Sequence, residues 1–160
     1  MTMTNNAAAI DTIDRKIDRF MRRWGILALR LSLAVIFIWF GILKPFGLSP
    51  AEPVVLATVA WLPLFAPGTW LDIIGWWEVA IGVTFLFHRT VRIAIALMAM
   101  QMVGTFLPLI LLPGVTFQAG HFPYAPTMEG QYIIKNLLII SAALVVGGTA
   151  RHPEAAVFEA

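Results

Sequence analysis

Residues 70–112 read WLDIIGWWEVAIGVTFLFHRTVRIAIALMAMQMVGTFLPLILL. Two apolar runs, 70–87 and 91–112, flank the polar triplet His88-Arg89-Thr90. A helix needs about 20 predominantly apolar residues to cross the hydrocarbon core of a bilayer. Inside that core no water is present to satisfy backbone amides, and a helix closes its own hydrogen bonds within the segment. A connection as short as 88–90 forces the two helices to fold back on each other as an antiparallel hairpin.

Working outward from this hairpin, residues 24–43 and 131–148 form two further long apolar runs. The expected fold is therefore all-α, a four-helix transmembrane bundle, with Gly75, Gly82, Ala94 and Ala142 as small residues that let helices approach. Composition agrees: of 160 residues, 59% are hydrophobic and 12% charged, against about 25% charged in a soluble domain. Residues 51–65 are apolar, but this stretch is too short to span and has Pro50, Pro53, Pro63 and Pro67 in and around it. It reads as re-entrant or interfacial.

Before the first span, Ile10, Ile13, Ile17, Phe20 and Trp24 recur at helical spacing on one face. Asp11 with Arg15, and Asp18 with Arg22, stand four apart on the other face. The pattern predicts an amphipathic interfacial helix leading into the membrane. No small-residue cleavage site separates it from the apolar run, so it is expected to remain attached. The organisation is then residues 1–23 as a cytoplasmic tail and amphipathic helix, 24–148 as the membrane domain, and 149–160 as a cytoplasmic tail.

Charge sets the expected orientation. Arg15, Lys16, Arg19, Arg22 and Arg23 precede the first span, Arg89 and Arg92 flank the tight turn, and Arg151 follows the fourth span. The long loops 45–69 and 113–130 contain no Lys or Arg. Basic residues stay on the cytoplasmic side, so both termini are expected inside and both long loops outside.

The chain has no cysteine, which removes disulfide exchange, thiolate catalysis and cysteine-ligated metals. His88, His121 and His152 have no second ligand at metal spacing. Met98 and Met102 share a helix face, which suits core packing better than soft-metal binding. Trp61, Trp70, Trp76 and Trp77 fit an interfacial aromatic belt. No nucleotide loop, metal motif or nucleophile elbow is present, so no catalytic residue is expected from this chain alone. No metal and no nucleic-acid partner are expected.

The informative residues are the polar ones within the spans, because an ionisable group in the membrane is costly. They are Arg30, Asp72, Glu78 and Lys135, with Lys44 at the end of the first span and Gln101 as the main uncharged polar group of the third. Glu78 lies ~12 Å inside the outer boundary, too deep for a short carboxylate to reach the headgroups. Lys135 lies ~6 Å inside the same boundary, and depth matching makes Glu78–Lys135 the expected ion pair. A Glu78–Gln101 bond, with Lys135 turned to the headgroups, is the competing arrangement. Arg30, Phe37 and Lys44 are spaced by seven and form a stripe. The expectation is a polar pocket open to the outer side, lined by Glu78 and Lys135 with Lys44 or Gln101 nearby, and covered by the two outer loops. Arg30, Asp72 and Asn136 are its further candidates. A purely structural pair that fixes helix register is the other reading of the same charges.

Several segments carry a resemblance: Phe40-Gly41-Ile42-Leu43-Lys44, Ser49-Pro50-Ala51-Glu52-Pro53, Glu78 followed by Gly82, and Glu129-Gly130-Gln131-Tyr132-Ile133-Ile134-Lys135-Asn136-Leu137. In order and spacing, over roughly residues 27–148, the chain resembles the DoxX-like membrane proteins, in particular the branch of bacterial inner-membrane proteins of reactive chlorine resistance. Relatives often carry Lys-Asp where this chain has Lys135-Asn136, which removes a potential acid. The resemblance implies a multi-pass protein of the bacterial inner membrane linked to redox complexes and oxidative-stress survival. The expected role is a non-catalytic component acting through partner or small-molecule binding. The alternative is a quinone- or small-molecule-binding subunit of a membrane oxidoreductase, or a small transporter. Quinone is the one cofactor left open. The expected partners are the bilayer, a membrane redox complex and further copies of the chain.

Overall fold

The computed structural model describes residues 2–149. Helix α1 spans Thr2–Leu43, α2 Glu52–Val59 and α3 Pro67–Leu86. A 3-10 turn at His88–Thr90 leads into α4, Val91–Phe106. Short helices α5, Pro108–Leu111, and α6, Pro113–Thr116, precede α7, Met128–Ile134, and α8, Asn136–Gly148. Among the described residues, four helical segments are long and apolar enough to cross a bilayer: Ile10–Leu43, Pro67–Leu86, His88–Leu111 and Met128–Gly148. The outward faces support the same setting. Val103, Ile110 and Leu138 are each more than 70% exposed, and a surface so apolar around a whole bundle belongs in lipid. The chain is an all-α membrane protein.

The four spans alternate in direction. α3 and α4 form the hairpin, α1 packs along α3, and α8 closes the ring against both α1 and α4. The loops after α1 and after α4 therefore meet at one end of the bundle, the loop end. The tight turn and the end of α8 meet at the other.

Three differences from the sequence expectation have local causes. The amphipathic segment and the first span form one uninterrupted helix of 42 residues, ~63 Å long and about twice the hydrocarbon thickness. Gly25 is the only glycine near the junction, and one helical glycine costs only about 1 kcal/mol. Arg22 Nε meets Asp18 at 2.9 Å, four residues back. Arg15 instead donates to the main-chain carbonyl of Asp11 at 3.2 Å. The third span breaks at Leu107, because Pro108 has no amide to donate and Leu107 N turns to Gly104 O at 3.2 Å. The fourth span begins at Met128 and breaks at Lys135. There the Asn136 side chain donates to the carbonyls of Tyr132 and Ile133, each at 3.1 Å, in competition with the helix ladder. Residues 51–65 contain α2, whose eight residues make ~12 Å, too short to span.

The interior is divided along the bundle axis. Leu33, Ala34, Phe37, Ile81, Phe85, Val91, Ala94, Met98, Ala143 and Val146 form an apolar core. They occupy the half nearest the tight turn. Lys44, Glu78 and Gln101 lie in the other half, toward the loops.

Candidate functional site

Close contact between α1 and α3 builds the site. A Cβ at Gly41 would lie 2.8 Å from the carbonyl oxygen of Gly75. One at Gly75 would lie 2.8 Å from Gly41 O and 2.9 Å from the Cβ of Lys44. A Cβ at Gly82 would lie 2.7 Å from Ala34 O. No larger residue fits at these points, and the backbones approach until Lys44 sits beside α3. Gly47, at φ +65°, then reverses the chain. Its amide bonds to Lys44 O at 3.0 Å and that of Leu48 to Leu43 O at 2.9 Å, the pattern that closes a helix C-terminus with a left-handed glycine. Lys44 thus stands immediately after the C-terminus of α1, where a cation is favoured.

Lys44 is 6% exposed and forms an ion pair with Glu78 Oε2. Its Nζ also donates to Phe40 O at 3.3 Å. Gln101 Nε2 donates to Glu78 Oε1 at 3.0 Å. Both carboxylate oxygens are therefore satisfied by side chains from different helices, and Glu78 joins α1, α3 and α4. A charge in this setting persists only when paired and bonded.

The expected Glu78–Lys135 pair is not formed. Lys135 has no carboxylate partner among the described residues, and its Nζ lies 5.2 Å from the centre of the Tyr132 ring. Depth alone favoured Lys135. Lateral distance decided otherwise, because the glycine seam brings α1 to α3 and Lys44 with it. The Gln101 bond of the competing arrangement is present, but beside a lysine partner, Lys44.

Glu78, Lys44, Gln101, Lys135 and Asn136 nevertheless line one cavity of about 350 Å³. Ile36, Phe37, Phe40, Met102, Thr105, Tyr132 and Ile139 complete its wall. Thr105 was legible as the residue one turn after Gln101, and Tyr132 as one turn before Asn136. The aromatic wall needs the packed bundle. Phe40 is 54% and Tyr132 63% exposed, so these two rings stand at the open edge of the cavity, one on α1 and one on α7.

Arg30 and Asp72 are not part of this cavity. Arg30 lies two heptads before Lys44 on the same stripe, ~21 Å away along the helix. Its Nε is buried and has no partner among the described residues. Asp72 is exposed near the start of α3. Met98 and Met102 are buried while Met100 is exposed, as core packing requires. His121 is an exposed loop residue whose Nδ1 is 2.8 Å from Ala119 O. Of the tryptophans, Trp77 turns inward and donates to Leu97 O at 3.2 Å, whereas Trp61 and Trp76 are exposed. His152 and Arg151 lie outside the described residues.

No family model, curated protein or solved structure matches the chain.

Proposed function

We propose that this chain is a multi-pass protein of the bacterial inner membrane that holds a small molecule in the cavity above Lys44, Glu78 and Gln101. In this reading both termini face the cytoplasm. The protein supports redox or oxidative-stress defence without catalysing a reaction by itself, as a DoxX-like component does. The observation that carries the reading is a paired charge cluster used as the wall of a cavity. A pair needed only to fix helix register is served best by close packing on all sides. Here Lys44, Glu78 and Gln101 face space within the range of about 300–1,000 Å³ typical of small-molecule sites.

A second reading, a quinone-binding subunit of a membrane oxidoreductase, is favoured by one feature. The cavity sets three aromatic rings, Phe37, Phe40 and Tyr132, beside the donors of Lys44, Gln101 and Lys135. A flat ring with two carbonyl acceptors matches that wall.

Purification from the native membrane separates these readings. A colourless protein carrying a stoichiometric small molecule or protein partner supports the first. Co-purifying quinone with a haem- or flavin-bearing partner supports the second. Cells that carry Ile139→Trp, which fills the cavity, are expected to accumulate the protein yet lose oxidant tolerance. Full tolerance in those cells would sink both readings.

A further inference from the structure

The charge balance of the cavity wall narrows the ligand class. Lys44 and Glu78 cancel each other. Lys135, an exposed residue at the edge of the same wall, is left as a cation with no carboxylate partner among the described residues, its ammonium resting on the Tyr132 ring. Beside it, Asn136 commits its amide NH₂ to two backbone carbonyls. Lys44 has three donors and uses two, on Glu78 and Phe40. The rest of the wall is Ile36, Phe37, Phe40, Met102 and Ile139, with Gln101 and Thr105 as its uncharged polar members. A cation in an apolar setting draws an anion, and an apolar wall draws a hydrocarbon body.

We infer, building on the small-molecule reading above, that the cavity takes an amphipathic monoanion, with its acidic head at Lys135 and its apolar body along α1 and α8. A free lipophilic carboxylic acid and an anionic phospholipid share this chemistry. The open edge of the cavity, at Phe40 on α1 and Tyr132 on α7, suits both. A neutral ligand of the same shape leaves the Lys135 charge unmatched and binds less well.

Met102 provides a local probe, because its side chain lines the cavity while Met98, one turn away, is buried in the core. The protein is labelled with ¹³C-methyl methionine, placed in phosphatidylcholine nanodiscs and titrated with decanoate, decanol or decylammonium. The Met102 signal is assigned with Met102→Leu. Decanoate is expected to shift the Met102 methyl at roughly tenfold to a hundredfold lower concentration than decanol, the range of one charged hydrogen bond. The Met98 signal should stay still. Lys135→Met should erase the preference and Lys135→Arg should keep it. If discs made with phosphatidylglycerol suppress the decanoate response, the bilayer's own anionic lipid is the occupant. If they do not, the occupant is a free acid. Equal responses to decanoate and decanol, or an unchanged preference in Lys135→Met, would refute the anion class while leaving small-molecule binding intact. No response of Met102 to any of the three probes would remove the binding reading and this inference together.

Discussion

Replacing Lys44 with methionine should be among the most damaging single changes to the bundle. Methionine keeps most of the side-chain volume and removes the charge, so the packing against Gly75 is largely preserved. What remains is Glu78, with a side chain 14% exposed and only Gln101 bonded to it. Breaking a buried pair by removing one partner costs about 3–5 kcal/mol. The Gln101 bond, worth about 1.5–3 kcal/mol to a charged acceptor, places the Lys44→Met loss toward the lower end, about 3 kcal/mol. Glu78→Gln should cost a similar amount, because it leaves the buried ammonium with only neutral acceptors and no compensating charge. The double variant Lys44→Met/Glu78→Gln leaves no uncompensated charge. It should recover most of the loss, giving a coupling energy of about 2–3 kcal/mol. Reversible unfolding in mixed micelles of mild detergent and dodecyl sulfate, followed by tryptophan fluorescence, measures all four proteins. The same cycle between Glu78 and Lys135 should give a coupling within about 0.5 kcal/mol of zero. A Lys44→Met protein as stable as the parent, or stronger coupling of Glu78 to Lys135 than to Lys44, would refute the reasoning.

The other expectations address the elements that build the site. Gly41→Ala and Gly82→Ala force a methyl into backbone 2.7–2.8 Å away and should destabilise by at least about 1–3 kcal/mol. Gly25→Ala, with no atom within 4 Å of the added methyl, should stabilise α1 by up to about 1 kcal/mol in the same assay. Thr127→Val removes the bond to Val115 O at 2.7 Å and the cap on Gly130 N at 3.2 Å, a loss of about 0.5–2 kcal/mol. Faster amide exchange in α7 should report that loss, and unchanged exchange would count against the cap. Asn136→Leu frees the Tyr132 and Ile133 carbonyls for the helix ladder and should slow amide exchange across residues 135–138; unchanged exchange would show that the break has another cause. A reporter active only outside the cytoplasm should work when inserted near Gln118 and stay silent when fused after Arg151; the reverse pattern would invert the assigned orientation.

Hydropathy is a local property, and the parts of the fold that depend on it were legible in the sequence. A run such as 131–148 is apolar whatever its neighbours are, so the four spans and the hairpin at 88–90 follow from reading along the chain. The deep placement of Glu78 follows in the same way, because each helical residue advances a constant ~1.5 Å. Its need for a partner follows from the cost of a lone buried charge. The choice among partners does not follow. Depth is one coordinate, and Lys44, Lys135 and Gln101 all reach the level of Glu78. Which of them touches it depends on rotation and lateral distance between helices. Those are set where Gly41, Gly75 and Gly82 let α1 and α3 close on each other. The broken fourth span has the same character, since Asn136 can point outward or fold back on its own helix. The sequence by itself determined a membrane bundle with a carboxylate that must be paired. Only the tertiary structure decided that Lys44 pairs it and leaves Lys135 unmatched, because side-chain pairing is settled by approach between helices and not by position along any one of them.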